Sequence, residues 1–299
     1  MAESSAPTAS MVGMTLVRAT EIMGAEPYFH DFSAGLESVI RPHGYSVLTR
    51  VLPTFDEEIA TFRRWKAQGE VGAIVLVDLA IDDPRLPVLR ELQLPVVVVG
   101  NPATAAEFAA VWTNDDAAMR EAVRFLLDLG HRSLAHVTGP PRMAHTRTRM
   151  TAFAAECAVG TAGDGSGDTG ATGVTVATIA GDYSLGSGAR ATAQLLNRTD
   201  RPTAIIFDND LMALGGLEAA DAAGLDVPAD LSLLAWDDSA QCQLSTPPLS
   251  AVSHDVQAIG SLTGDTLLAV FAGSALEAVE APPVSIVSRG TTANHKLFI

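Results

Sequence analysis

Short apolar runs alternate with helix-spaced segments along almost the whole chain, and this alternation constrains the fold more than any other feature. Val12–Ala19, Tyr45–Leu52, Ala73–Val77 and Val96–Val99 read as strands. Between them Phe32–Ile40, Glu57–Gln68 and Arg85–Leu92 carry helical spacing, with Gly44 and Gly69 as stops. The pattern restarts after a break near Val111–Asn114. Helix Ala117–Leu129 closes at Gly130. Strand Ser133–Thr138, helix Thr148–Cys157, strand Val174–Ile179 and helix Gly188–Leu196 follow, and two more strands come after them. Such alternation builds βαβ units around a parallel sheet, and its repetition predicts two doubly wound halves. Strands covered on both faces need compact aliphatic side chains. The 299 residues are 47% hydrophobic but only 5% aromatic, as that arrangement requires.

The stretch from Pro202 to Pro248 shows the pattern most sharply. Apolar runs Thr203–Phe207 and Leu231–Trp236 each end in polar groups, Asp208-Asn209-Asp210 and Asp237-Asp238, with a helical segment between them that closes at Gly224. In open α/β sheets ligands sit just beyond the carboxyl ends of strands, so these tips are candidate ligand positions. Asn209 offers donors and an acceptor, Asp237 an acceptor-only carboxylate, and Arg149 a planar fork of donors. Tyr28, Phe29 and Tyr183 offer aromatic faces for the apolar side of a sugar or base. Each polar tip has a structural reading as well, since Asn209, Asp210 and Asp237 are all able to cap the element that follows.

No catalytic signature accompanies these tips. His-Glu-x-x-His, Gly-x-Ser-x-Gly and Cys-x-x-Cys are missing, and no glycine-rich dinucleotide fingerprint follows the first strand. The expectation is therefore a binding protein rather than an enzyme, with no cofactor and no metal. Gly160–Gly173, six glycines in fourteen residues, lacks the Gly-Lys-Ser/Thr ending of a phosphate loop and reads as a flexible surface loop. A net charge of -16 disfavours direct contact with a nucleic-acid backbone. Two cysteines, Cys157 and Cys242, make no disulfide framework, and reduced thiols fit a cytoplasmic location. No apolar run is long enough to span a membrane. Residues 1–11 read as a disordered polar stub without the features of a signal peptide.

Several longer motifs occur together and in order: EPYFHDFSAGLESVIRPHGYSVL (26–48), LLDLGHRSLAHVTGP (126–140), RTRMTAF (147–153), GDYSLGSG (181–188), RPTAIIFDNDLMALGGLEAADAAGLDVPADLSLLAWDD (201–238), STPPLSAVSHD (245–255) and SRGTT (288–292). In these the chain, from about Val12 to Thr292, resembles the effector-binding core of the LacI/GalR family of bacterial transcription regulators. The resemblance implies a periplasmic-binding-protein-like type I α/β fold, two doubly wound parallel-sheet subdomains joined by three crossovers. Those crossovers are expected near Thr113, near His254 and near Pro283–Ile286. One subdomain would comprise residues 12–113 plus 254–284, the other 114–253 plus 285–299. It also implies a small-molecule effector, most simply a sugar, in a cleft lined by Tyr28, Phe29, Arg149, Tyr183, Asn209 and Asp237. A homodimer and operator DNA as partners follow from the same resemblance, the DNA being read by a helix-turn-helix headpiece. Nothing in the sequence resembles that headpiece, which reads as a truncation. Gly100 stands where some sugar-responsive members have an acid, and Val256 where some have an aromatic. The alternative of the same fold is a solute-binding protein of a transport system.

Overall fold

The computed structural model describes residues 10–17, 27–162, 174–275 and 277–295. Residues 163–173 of the glycine-rich loop, and residues 1–9 and 296–299 of the termini, lie outside them; Met11, assigned to the stub, opens the first strand. The chain divides into two compact units. Unit 1 holds the residues up to Asn114, Met143–His145 and Asp255–Pro282. Unit 2 holds Asp115–Arg142, Thr146–His254 and the residues from Pro283 onward. The short excursion Met143–His145 into unit 1 had no counterpart in the sequence reading.

Unit 1 is a six-stranded, wholly parallel sheet. With strands numbered in chain order, it contains β1 (Met11–Val17), β2 (Ser46–Leu52), β3 (Ala73–Leu76), β4 (Val96–Val99), β5 (Ala109–Trp112) and β11 (Ala278–Glu280), arranged β11-β5-β4-β3-β1-β2. The period of two sorts β1 across the sheet. Val12, Met14 and Leu16 join a core with Phe32 and Leu36 of α1 (Tyr28–Ile40) and Ile259 and Leu267 of α9 (Val256–Phe271). On the opposite face Ile74, Leu76 and Val98 pack with Phe62 and Trp65 of α2 (Phe55–Gln68) and Leu89 of α3 (Arg85–Leu92). Fully burying each of these side chains contributes about 1.5–3 kcal/mol. Helix α2 starts where the Thr54 hydroxyl accepts a hydrogen bond from Glu57 N and stops at Gly69, whose φ is 63°.

Unit 2 repeats the plan with β6 (Ser133–Thr138), β7 (Thr175–Ala180), β8 (Ala204–Phe207), β9 (Ser232–Trp236), β10 (Ser250–Ser253) and β12 (Ser285–Val287), ordered β12-β10-β9-β8-β6-β7. All neighbours are parallel except the edge pair β10–β12, which is antiparallel. Its helices are α4 (Asp115–Asp128), α5 (Ala144–Ala162, most of it in this unit), α6 (Leu185–Leu196), α7 (Asp210–Ala222) and α8 (Ala240–Leu244).

Each unit contains one helix pair that meets backbone to backbone at reciprocal glycines. In unit 1 a Cβ on Gly35 of α1 would lie 2.1 Å from Gln257 O, and one on Gly260 of α9 would lie 2.1 Å from Phe32 O. In unit 2 the corresponding distances are 2.1 Å from Gly188 of α6 to Met212 O and 2.0 Å from Gly215 of α7 to Leu185 O. No larger residue fits at that separation. Because all strands but β12 run parallel, their carboxyl ends share one edge in each unit, and the loops at those edges hold the charged groups.

Candidate functional site

At the strand ends of unit 1 the guanidinium of Arg85 is 1% exposed and lies over the Phe55 ring, 4.6 Å from its centroid. Its Nε donates to Asp83 Oδ1 and its Nη1 to both oxygens of Glu58. Its Nη2 donates to Asp83 Oδ2 and to the Asp78 carbonyl, at 2.6 and 2.7 Å. A guanidinium has five N–H donors, and all five are engaged. Thr15 of β1 closes the network by donating to Glu58. Burial pushes the Glu58 carboxyl up in spite of Arg85, while Asp83, buried but held by stronger hydrogen bonds from Arg85, ends below the usual carboxylate range.

The strand ends of unit 2 gather a second buried guanidinium. Arg149, in the second turn of α5, lies over the Trp236 ring at 3.9 Å from its centroid and is 8% exposed. Its Nε donates to Asp115 Oδ1 at 2.8 Å, and its Nη1 donates to the Asp208 carbonyl at 3.2 Å. The Asp208 carboxylate is 3.7 Å from the same Nη1. Only two of the five donors are engaged among the described residues, so the fork still has N–H groups to offer. Burial alone would lower the pKa of Arg149, but Asp115 and Asp208, with smaller contributions from Tyr183 and Asp237, raise it instead. The charge is permanent.

Asp208 sits behind this fork. Its carboxylate accepts from His136 Nε2 at 2.8 Å and from Gly139 N at 2.7 Å, joining the ends of β6 and β8. Burial would raise its pKa, but His136 and Arg149 more than offset that and hold it at about 2. His254, at the end of β10, faces the Trp236 ring at 5.7 Å, and its Nε2 has no partner among the described residues. Burial, reinforced by the Arg149 charge, lowers its pKa to about 4, so it is neutral at pH 7.

The residues singled out from sequence fall in both units. Arg149, Tyr183, Asn209 and Asp237 come together at the strand ends of unit 2. Tyr28 and Phe29 lie in the first turn of α1 in unit 1, edge to face at 5.2 Å, with Phe29 buried in the apolar core. Asn209 is the N-cap of α7. Its Oδ1 accepts from Met212 N, its Nδ2 donates to the Tyr183 carbonyl, and the residue is 4% exposed. Any ligand contact must use the second lone pair or the second hydrogen of that amide. Tyr183 is 5% exposed, its ring rests against Gly139, and its hydroxyl pairs with Thr146 Oγ1 at 3.1 Å. Asp237 is half-buried at the end of β9. Tyr183 and Asp237 have φ of 68° and 71°, the left-handed region that side-chain-bearing residues seldom adopt. Strain of that kind gathers at ligand sites.

Asp115, Trp236 and His254 belong to this cluster and were not read from the sequence as site residues. Asp208 is one of the polar tips that end the Thr203–Phe207 run. It holds the loops and also stands beside Arg149. The available signal for Asp115 was its place at the start of a helix directly after the Val111–Asn114 break. Asp210 and Asp238 do structural work: Asp210 Oδ1 accepts from Leu211 N, and Asp238 takes both terminal nitrogens of Arg289 at 2.7 Å. No described helix is long and apolar enough to cross a membrane, and the described residues contain no cluster of three or more metal-ligating side chains.

Comparison with known proteins identifies the family. Residues 123–292 match the periplasmic binding protein-like domain. An uncharacterised HTH-type transcriptional regulator in the aml 5′ region of Streptomyces limosus is 30% identical over 294 residues, covering 96% of this chain and 80% of that protein. The lactose operon repressor of Escherichia coli is 33% identical over 173 residues, which are 58% of this chain and 45% of the repressor. The crystal structure of a LacI family transcriptional regulator from Bifidobacterium animalis superposes with a TM-score of 0.83 at 31% identity, covering 96% of this chain and 99% of that one. These relatives are regulators rather than enzymes or transport proteins, and the chain belongs to the LacI family of transcription regulators.

Proposed function

We propose that this chain senses a small polyhydroxylated effector, most simply a sugar, at the strand ends of unit 2, and passes the signal to a DNA-reading headpiece. The observation that carries this is the Arg149 fork. It is stacked on Trp236, held at Nε by Asp115 and at Nη1 by Asp208, and retains unengaged N–H groups. Such a fork donates to two neighbouring hydroxyl oxygens, while the Asp237 carboxylate accepts hydroxyl protons. Asn209 adds its remaining hydrogen-bonding capacity, and Tyr183 shapes the wall. The neutral His254 Nε2 is placed for one more hydrogen bond. The relationship to the lactose operon repressor supports a sugar over other hydroxylated molecules.

For such a ligand to switch DNA binding it must bind one conformational state more tightly than the other, since equal affinity shifts nothing. A homodimer reading operator DNA completes the proposal. The test is a thermal-shift screen of sugars and polyols against the 299-residue chain. A ligand at a hundredfold excess over its Kd contributes about 2.7 kcal/mol, roughly 5 °C or more for units of this size. Arg149→Ala and Asp237→Ala are each expected to abolish the shift. A full shift in both variants places the ligand elsewhere.

A further inference from the structure

The charge balance at the strand ends of unit 2 carries a second conclusion, which rests on the ligand position proposed above. A lone buried arginine is an anion site, and phosphate or carboxylate is its natural ligand. Arg149 is not alone. Asp115 bonds its Nε at 2.8 Å, Asp208 stands 3.7 Å from its Nη1, and Asp237 is a third carboxylate whose charge acts on it. His254 contributes no charge at neutral pH. Three carboxylates thus stand around one fixed positive charge.

Several other features that take anions in α/β proteins are also occupied or faced by acids here. Helix N-termini with free N–H groups cradle phosphates, and five helices, α4 to α8, begin at this edge. Asn209 Oδ1 and Asp210 Oδ1 hold Met212 N and Leu211 N in the first turn of α7. Ser184 Oγ holds Ser187 N in α6, and Ser239 Oγ holds Cys242 N in α8. The first turn of α4 carries Asp115 and Asp116. The glycine amide after β6, at Gly139, is held by Asp208 Oδ2. A phosphate or carboxylate entering this edge would meet acids and several occupied amides, with one guanidinium whose charge is already offset by carboxylates.

We propose that this site selects against charge: it takes a neutral polyhydroxylated ligand and rejects the carboxylated or phosphorylated form of the same molecule, with Asp115 and Asp208 as the residues that set the discrimination. The selection works through Coulomb repulsion in a poorly solvated place, where it is far less screened than at an open surface.

The test measures affinity by thermal shift for matched pairs: glucose and glucuronate, galactose and galacturonate, ribose and ribose 5-phosphate, cellobiose and cellobionate. At least one neutral member is expected to bind, with an affinity tenfold or more above that of its anionic partner. Asp115→Asn keeps the side-chain shape and removes one charge, and the neutral-to-anionic ratio is expected to fall at least tenfold in it. Asp208→Asn gives the same readout should the first variant fail to fold. An anionic member that binds the wild-type chain as well as its neutral partner, or better, overturns the selectivity and leaves the sugar reading standing. So does an unchanged ratio in the folded variants. No shift with any member of any pair overturns the sugar reading itself, and the selectivity with it.

Discussion

Arg85 in unit 1 and Arg149 in unit 2 are built from the same parts. Each is a buried guanidinium at the carboxyl ends of parallel strands, each lies over an aromatic ring, and each has two carboxylates beside it. They differ in how many donors remain. Arg85 uses all five N–H groups inside the protein, whereas Arg149 uses two among the described residues. The first is a closed network and braces the loops around it. The second is left incomplete, and an incomplete buried fork is a place where a ligand finishes the hydrogen bonding. Burial, charge and aromatic stacking do not separate the two; donor satisfaction does.

The sharpest way to break this comparison is to remove each arginine. Arg85→Met leaves Glu58 and Asp83 buried without their cation, and is expected to destabilise unit 1 by about 3–5 kcal/mol. Urea unfolding followed by two probes checks this, since two units need not unfold as one transition. Arg149→Ala is expected to cost less stability and to remove the ligand response. Equal losses of stability in the two variants would erase the distinction.

Acid separates the units next. In unit 2, His131 and His254 are both held neutral chiefly by burial, with pKa values of about 4 against 6.5 in the unfolded chain. The unfolded state takes up these protons first as the pH falls. The stability of unit 2 is therefore complete above pH 6.5 and declines between pH 6.5 and 4, by up to roughly 3 kcal/mol for each histidine. His131→Gln is expected to flatten that slope in urea midpoints taken at pH 7 and pH 4.5. An unaltered slope would mean that His131 does not drive it.

Smaller effects come from the backbone. Gly260→Ala forces α1 and α9 apart and is expected to lower stability by about 1–3 kcal/mol, read as a loss in unit 1 alone. Gly215→Ala is its counterpart in unit 2, and a shift of both transitions by either variant would show that the units do not unfold separately. Smallest is Asp237→Gly, which relaxes a φ of 71°. It is expected to stabilise unit 2 by up to about 1 kcal/mol while abolishing the ligand shift. A retained shift would remove Asp237 from the site.

Much of the fold was legible because the apolar period reports burial directly. The strands from β1 to β4, β6 to β9 and the helices between them follow the spacing of Val, Leu and Ile. The rest was hidden for identifiable reasons. Strand β5, Ala109–Trp112, lies in an alanine-rich stretch that carries little β signal. The apolar spacing of helix α9 is interrupted by Gly260 and Gly264, whose role is close packing and not chain reversal. The antiparallel direction of β12 leaves no trace in a period of two, which is the same in either direction. In the site, Asn209 and Arg149 stood out by residue type and position. Asp115 did not, because an acid opening a helix already has a local reason to be there. Arg85, in Asp-Asp-Pro-Arg, looks like the solvated start of a helix; only the tertiary fold reveals that Glu58 comes to meet it.

The indole beneath the Arg149 fork has an optical consequence. Trp236 is buried, with a positive charge fixed 3.9 Å from its ring centroid, and only Trp65 and Trp112 share its absorbance. An indole in so strong a local field changes its emission when the charge moves or is covered. With Trp65 and Trp112 replaced by phenylalanine, the protein would carry its own fluorescent gauge of occupancy. Equilibrium titrations and stopped-flow rates would then be readable without a label on either partner.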